Sequence, residues 1–145
     1  MANQDAAFGM KPVRMIGGAP YNGGQSRYRI AADYGTSIFQ GDMVAAVTAD
    51  IIAFVIDDPM VVFEIQAAIA FPIADLFGNF DIVYTTAGST KTGISGAELQ
   101  VTDGGTGTTL SVKAIDISED PANSDVGAAH TNVLVTIQNH LYGIK

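Results

Sequence analysis

Short apolar runs, each broken by acids, dominate the middle of the chain. Residues 44 to 77 read VAAVTADIIAFVIDDPMVVFEIQAAIAFPIADLF, and the longest uninterrupted runs are IIAFVI, MVVF and AAIAFPIA. A membrane-spanning helix needs roughly 20 mostly apolar residues, and a charged carboxylate at mid-bilayer costs at least about 2.5 kcal/mol. The pattern therefore predicts strands or short core segments and disfavours a membrane span.

A turn composition separates two of these runs. Asp57, Asp58 and Pro59 lie between IIAFVI and MVVFEIQ. Aspartate side chains bond nearby backbone N–H groups and proline fixes φ, so the sequence favours a tight reversal here. We expect the two runs to be antiparallel neighbours. In VVFEIQ, polar Glu64 and Gln66 alternate with apolar residues, which predicts a half-buried strand.

The remaining pattern is also β, with one short exception. In FPIADLFGNF, Pro72 and Gly78 bracket a segment that predicts one or two helical turns. The segments DIVYTTAG, TGISGAELQVTD, TTLSVKAIDIS and TNVLVTIQNHLYG read as short strands, with GGTG as a hairpin loop between two of them. The sequence predicts an all-β fold, a small barrel or sandwich with at most one short helix.

The N-terminal part differs from the rest in pattern and in charge. Residues 1–29 include GGAPYNGG and show no core periodicity, which predicts an extended arm before a single β domain at 30–145. Residues 1–32 carry a net charge of +3, whereas the whole chain carries −8 and the remainder therefore −11. A basic arm on an acidic body favours docking to an acidic protein surface and disfavours nucleic acid. The alternative is that the basic residues only solubilise a loose terminus.

Composition indicates that part of the surface is covered. The chain is 48% hydrophobic and only 15% charged, which is charge-poor for a soluble monomer. We expect homo-oligomerisation or assembly on a partner, since large exposed apolar patches cause aggregation. The segment after VVFEIQ is apolar enough to form either an oligomer interface or an unusual core. The candidate interface residues are Ile69, Phe71, Ile73, Leu76 and Phe77.

Residues able to do chemistry are sparse. The chain has no cysteine, which removes disulfides and thiolate chemistry. His130 and His140 lack an identifiable third metal ligand, and the glycine-rich DGGTGTT lacks the lysine of a phosphate-binding loop. No G-x-S-x-G occurs. We expect no catalytic residue, no metal and no cofactor. The N-terminal residues also lack the apolar region of a secretory signal, so we expect synthesis in cytoplasm.

Several segments resemble one known family. YGTSIFQGDMV, IDDPMVVFEIQ, GSTKTGISGAEL and EDPANSDVGAAHTNVLVTIQNHLYG look like the small capsid decoration (cement) proteins of tailed bacteriophages, especially marine and cyanobacterial phages. The resemblance implies oligomers, with trimers favoured, that bind the outside of the major capsid protein shell and stabilise it. It also implies location on the virion surface and no catalytic residues. The chain departs from the family pattern at AAIAFPIADLF, where the family sequences are more polar.

The alternative for the tyrosines near the N-terminus is that they only close the barrel. The candidate capsid contacts are the basic and tyrosine residues of this region: Lys11, Arg14, Tyr21, Arg27, Tyr28 and Arg29. Two rival classes remain open. One is a virion-surface carbohydrate- or receptor-binding β-sandwich that stacks sugars on Tyr21, Tyr34 or Tyr84, which the absence of tryptophan disfavours. The other is a small hydrolase or lyase that uses His130 or His140 with an acid such as Asp125.

Overall fold

A computed structural model describes residues 2–30, 35–44, 51–105, 107 and 109–143. The prediction of an all-β fold is confirmed, with a single 3-10 turn at Ile73–Asp75 as the helical element of this part of the chain. The described residues contain eight strands: β1 Lys11–Met15, β2 Ser26–Ile30, β3 Ile51–Val55, β4 Val61–Gln66, β5 Asn79–Tyr84, β6 Ala97–Gly105, β7 Val112–Ile117 and β8 Asn132–Ile137.

The strands form two antiparallel sheets of unequal size. Six of them make the main sheet, in the order β1-β4-β8-β7-β5-β6. Among the described residues, strands β2 and β3 pair only with each other, and this two-stranded sheet is called the ribbon below. The GGTG segment does not close a hairpin, because β5 lies between β6 and β7 in the main sheet. Tyr34 and residues 45–50 lie outside the described residues.

The core is built on the central strands of the main sheet. Phe71 and Phe80 are fully buried, and their ring centroids lie 5.6 Å apart. Further fully buried apolar side chains come from four strands: Ile65, Leu99, Val112, Ala114, Val133 and Val135. Aromatic pairs at this separation contribute beyond their buried area, so the Phe71–Phe80 contact anchors the loop after β4 onto β5.

Strand β4 is buried along its whole length, which corrects the predicted half-buried strand. The buried carboxylate of Glu64 accepts hydrogen bonds from the Ser118 hydroxyl and the Asn132 amide. The Gln66 amide donates to the backbone oxygen of Gln4 and accepts from the backbone N–H of Ala6. The polar face of β4 is thus covered by other parts of the chain, and its side chains are buried because they are hydrogen-bonded.

The two runs on either side of Asp57, Asp58 and Pro59 are not paired neighbours, which corrects the predicted hairpin. Strand β3 pairs with β2, whereas β4 pairs with β1 and β8. The local turn chemistry does form, because the Asp58 carboxylate accepts a 2.8 Å hydrogen bond from the backbone N–H of Met60. Turn residues fix the reversal of the chain, but the partner of each strand is set by residues distant in sequence.

The N-terminal residues are joined to the body rather than separate from it. Strand β1 is an edge strand of the main sheet, and Met10 is buried in the core. The Asn3 side-chain amide donates to the backbone oxygens of Asp125 and Ala129. Residues 1–29 therefore contain β1, most of β2 and a segment packed on the loop before β8, where the sequence pattern predicts an extended arm.

Candidate interaction surface

One face of the ribbon presents two arginines beside two large apolar side chains. Arg27 lies opposite Phe54 and Arg29 opposite Ile52 in the antiparallel register. Side chains directly opposite one another share a face, so all four project from the same side. Phe54 is 64% exposed and Ile52 50% exposed, and both arginines are exposed. We call these four residues the ribbon face.

The ribbon face borders a groove. Arg27, Tyr28, Arg29 and Ile52 line a groove of about 280 Å³. Arginine and large apolar side chains next to one another are the types enriched at the energetic centres of protein interfaces. The ribbon face therefore has the chemistry of a docking surface for an acidic protein.

Side chains on the other face of the ribbon fasten it to the segment after β3. The hydroxyl of Tyr28 donates to Asp57 Oδ2 at 2.8 Å and lies 3.2 Å from the hydroxyl of Tyr142. The Ser26 hydroxyl donates to Asp57 Oδ1 at 2.9 Å. Hydrogen bonds to Tyr142 and Asp57 raise the pKa of Tyr28 well above its ordinary value. Tyr28 is thus an anchor of the ribbon and does not belong to its outward face.

The Asp57 carboxylate is the centre of this anchor. Partial burial acts to raise the pKa of Asp57, but hydrogen bonds from Tyr28 and Ser26 outweigh it and hold the pKa below its ordinary value. The ionised carboxylate is therefore the form that the anchor stabilises. This role is more specific than the tight reversal that the sequence predicts at Asp57.

An open cavity lies between the ribbon and the main sheet, and Arg29 and Phe54 of the ribbon face are among its lining residues. Described residues of the ribbon, of the segment 38–44 and of the main sheet line about 430 Å³. Its wall is mostly apolar and includes Ile30, Phe39, Met43, Phe63 and Ile137. The ribbon therefore rests on the body through a limited set of contacts, of which the Asp57 anchor is one.

The other predicted capsid contacts are engaged within the chain. Lys11 forms an ion pair with buried Glu64 at 3.5 Å, and Arg14 pairs with Asp116 at 3.5 Å. Tyr21 packs against the core and its hydroxyl donates to the backbone oxygen of Gly24 at 2.6 Å. Burial raises the pKa of Tyr21. Arg27 and Arg29 differ from these three residues, because neither arginine takes part in an ion pair found among the described residues.

The segment predicted as an oligomer interface divides between surface and core. Ile73 and Phe77 are 61% and 68% exposed, and Ile69 is also exposed. Phe71 is fully buried against Phe80, which corrects its assignment to an interface, and Leu76 is half-buried against the core. The exposed apolar residues of this segment are thus Ile69, Ile73 and Phe77.

The two histidines lie in different surroundings. His140 Nδ1 accepts a 3.1 Å hydrogen bond from the backbone N–H of Tyr142. His130 lies with Asp5 and Glu98, and one potential ligand atom from each of the three lies within 4.8 Å of the others. The sequence offers no signal for this grouping, since the three residues are scattered over 126 positions. Asp125 contacts Asn3 through its backbone N–H and carbonyl groups.

Comparison with protein families, curated proteins and solved structures finds no match to this chain. In the part of the chain that the structure describes, no helix has the length and apolar character that crossing a bilayer requires.

Proposed function

We propose that this chain is a structural assembly protein that binds the outside of a major capsid protein shell and stabilises it, without catalysis. The observation that carries the proposal is the ribbon face, which places Arg27, Arg29, Ile52 and Phe54 together on one side of the two strands that the structure describes there. The resemblance of the sequence to phage decoration proteins names the partner. The virion surface is the location that follows from this partner.

The exposed apolar side chains of the ribbon favour a role in which a binding partner covers them. An isolated two-stranded sheet is marginally stable in water, and large exposed apolar side chains on it are unfavourable unless something covers them. A partner that covers Ile52 and Phe54 removes that cost. Acidic groups on the same partner would pair with Arg27 and Arg29, whereas the chain as a whole, with a net charge of −8, would repel an acidic surface elsewhere.

Self-association is the second part of the proposal, with a trimer favoured. Ile69, Ile73 and Phe77 give the loop after β4 an exposed apolar surface that a neighbouring copy can cover. Several copies linked in one oligomer bind a repetitive shell with high avidity, even when each ribbon face contributes a modest affinity. Light scattering tests this part, and the expected mass is about three times the 15.1 kDa of one chain.

Co-sedimentation with tailed-phage capsids stripped of this protein tests the binding. The variant Arg27→Thr/Arg29→Thr removes both ribbon cations and keeps residues that favour strands. The matched control, Lys91→Thr/Lys113→Thr, makes the same change in net charge away from the ribbon. Saturable binding by the wild-type chain and by the control, with binding at least about tenfold weaker for the ribbon variant, is the expected result.

Two outcomes would overturn the proposal. Capsids that bind none of the three proteins would remove the shell as partner, and a glycan array would then test the carbohydrate-binding alternative with exposed Tyr84. Equal weakening in both variants would show that the net charge governs binding and that the ribbon face has no special part.

A further inference from the structure

Three side chains that commonly bind metals converge where the N-terminal segment crosses the main sheet. Asp5 comes from the N-terminal segment, Glu98 from β6, and His130 from the loop before β8. One carboxylate oxygen of each acid and one imidazole nitrogen lie within 4.8 Å of one another. We call these three residues the Asp-Glu-His cluster.

Glu98 is the member whose burial needs an explanation. The residue is only 4% exposed, and its Oε2 accepts a hydrogen bond from the Thr85 hydroxyl. None of the ion pairs found among the described residues includes Glu98. An ionised carboxylate removed from water is costly unless it is paired with a cation or coordinates a metal. Glu98 can therefore offer a carboxylate oxygen to a positive charge in the cluster.

His130 gives an independent indication of a missing ligand. Its Nδ1 is buried and has no hydrogen-bond partner within the described structure. The nearest acidic oxygen is Asp5 Oδ1 at 3.7 Å, which is beyond the range of an N–H···O hydrogen bond. Buried polar atoms without a partner are rare in folded proteins, and a bound ion is one of their ordinary explanations.

The chain on both sides of Asp5 is fixed by buried or half-buried polar side chains. The Asn123 side chain accepts from the backbone N–H of Gln4 at 3.3 Å and donates to the backbone oxygen of His130 at 2.7 Å. On the other side, Gln66 Oε1 accepts from the backbone N–H of Ala6 at 3.0 Å. Asn123 thus positions two members of the cluster together, and Asp5 is held in place although its own side chain is 74% exposed.

We propose that the Asp-Glu-His cluster binds one divalent transition-metal ion of the zinc or manganese class. Zinc and manganese accept imidazole nitrogen and carboxylate oxygen, whereas the imidazole makes calcium or magnesium a poorer match. Metal–ligand bonds of about 2.0–2.2 Å place neighbouring ligand atoms roughly 3–3.5 Å apart, so ligand atoms that now lie within 4.8 Å of one another move closer on binding. The ion ties the N-terminal segment to β6 and to the loop before β8. This inference is independent of the proposed function.

Isothermal titration calorimetry of the full-length, chelator-treated chain with zinc chloride, and separately with manganese chloride, tests the site. We expect one ion per chain and, at about 100 times the dissociation constant, a rise in the unfolding temperature of about 5 °C or more. Magnesium chloride is expected to bind at least about tenfold more weakly than zinc. Failure of both zinc and manganese to bind saturably at 1:1, at concentrations up to about 1 mM, would overturn the proposal.

Variants locate the ion. Asp5→Asn, Glu98→Gln and His130→Gln are each expected to weaken zinc binding at least about tenfold, and the exposed position of Asp5 keeps its variant folded. The matched control is His140→Gln, since His140 lies outside the cluster. Unchanged zinc affinity in Asp5→Asn and His130→Gln, or loss of binding in His140→Gln alone, would place the ion elsewhere and overturn the proposal.

Discussion

The main sheet and the ribbon are both antiparallel, but they differ in which side chains they bury. In β4, even Glu64 and Gln66 are buried, because hydrogen bonds from neighbouring segments satisfy them. In the ribbon, Ile52 and Phe54 are exposed, because no other described segment covers their side of the two strands. Burial is thus set by what covers a strand and not by the hydrophobicity of its residues. Ile52 and Phe54 therefore stay exposed although both are apolar.

Removing the N-terminal residues should give the largest effect. A chain that lacks residues 2–26 loses β1, core residue Met10 and the partners of Gln66, so β4 becomes an unprotected edge. We expect a loss comparable to the whole stability of a domain, about 5 kcal/mol or more, and no cooperative thermal transition by circular dichroism. A chain that ends at Tyr142 is the control, because it keeps the contact between the Tyr142 and Tyr28 hydroxyls.

The truncation also decides between the two views of the N-terminus. If residues 2–26 were a free arm, the shortened chain would unfold within a few degrees of the full-length protein. That result would contradict the packing of β1 in the main sheet. The sequence pattern does not reveal this packing, because β1 is only five residues long and its partner β4 begins 46 positions after β1 ends.

Core and ribbon phenylalanines give the second comparison. Phe80→Ala should cost about 3–5 kcal/mol, because Phe80 is fully buried and packs on Phe71. Phe54→Ala should change stability by no more than about 0.5 kcal/mol, since the side chain is largely exposed. Guanidinium unfolding curves measure both. Equal destabilisation would show that the ribbon face is covered within the single chain and is unavailable to a partner.

How far the sequence predicts this molecule depends on the distance between the interacting residues. The strand-forming runs, the single helical turn after Pro72 and the hydrogen bond from Met60 to Asp58 all follow from local patterns, and the structure contains each of them. The pairing of β3 with β2 and the burial of Phe71 do not follow, because both depend on contacts between distant segments. The all-β class is therefore predictable and the strand order is not.

The candidate surface shows the same division. Charge alone groups Lys11, Arg14, Arg27 and Arg29 at the N-terminus. The structure distinguishes them by register, because Lys11 and Arg14 reach Glu64 and Asp116 while Arg27 and Arg29 lie beside Phe54 and Ile52. No sequence pattern contains this distinction, since each acidic or apolar neighbour is more than 20 positions away along the chain.

Removing the buried carboxylate of Glu64 in β4 should lower the free energy of unfolding by an intermediate amount. Glu64→Ala removes the acceptor for Ser118 and Asn132 and should cost about 2–3 kcal/mol. Lys11→Ala should cost about 1 kcal/mol or less, because the Lys11 side chain is 64% exposed and contributes a weak ion pair. Urea unfolding measures the difference. Equal costs for the two variants would mean that the ion pair, rather than the buried hydrogen bonds, holds Glu64 in place.

The smallest expected effect concerns the acid stability of the ribbon anchor. The pKa of Asp57 is lowered in the folded chain, so its contribution to stability is fully present above the ordinary value of 3.8 and is lost as the pH falls through the lowered pKa. Since the anchor is near the surface, this contribution is about 0.5 kcal/mol or less. Comparing urea unfolding at about pH 6 and pH 3, Asp57→Asn should lose less stability on acidification than the wild-type chain. The control Asp58→Asn lacks the bonds to Tyr28 and Ser26 and should behave as the wild type does. Identical acid losses in Asp57→Asn and the wild-type chain would show that the anchor does not depend on the ionised carboxylate, and the ribbon would then be held by its neutral contacts alone.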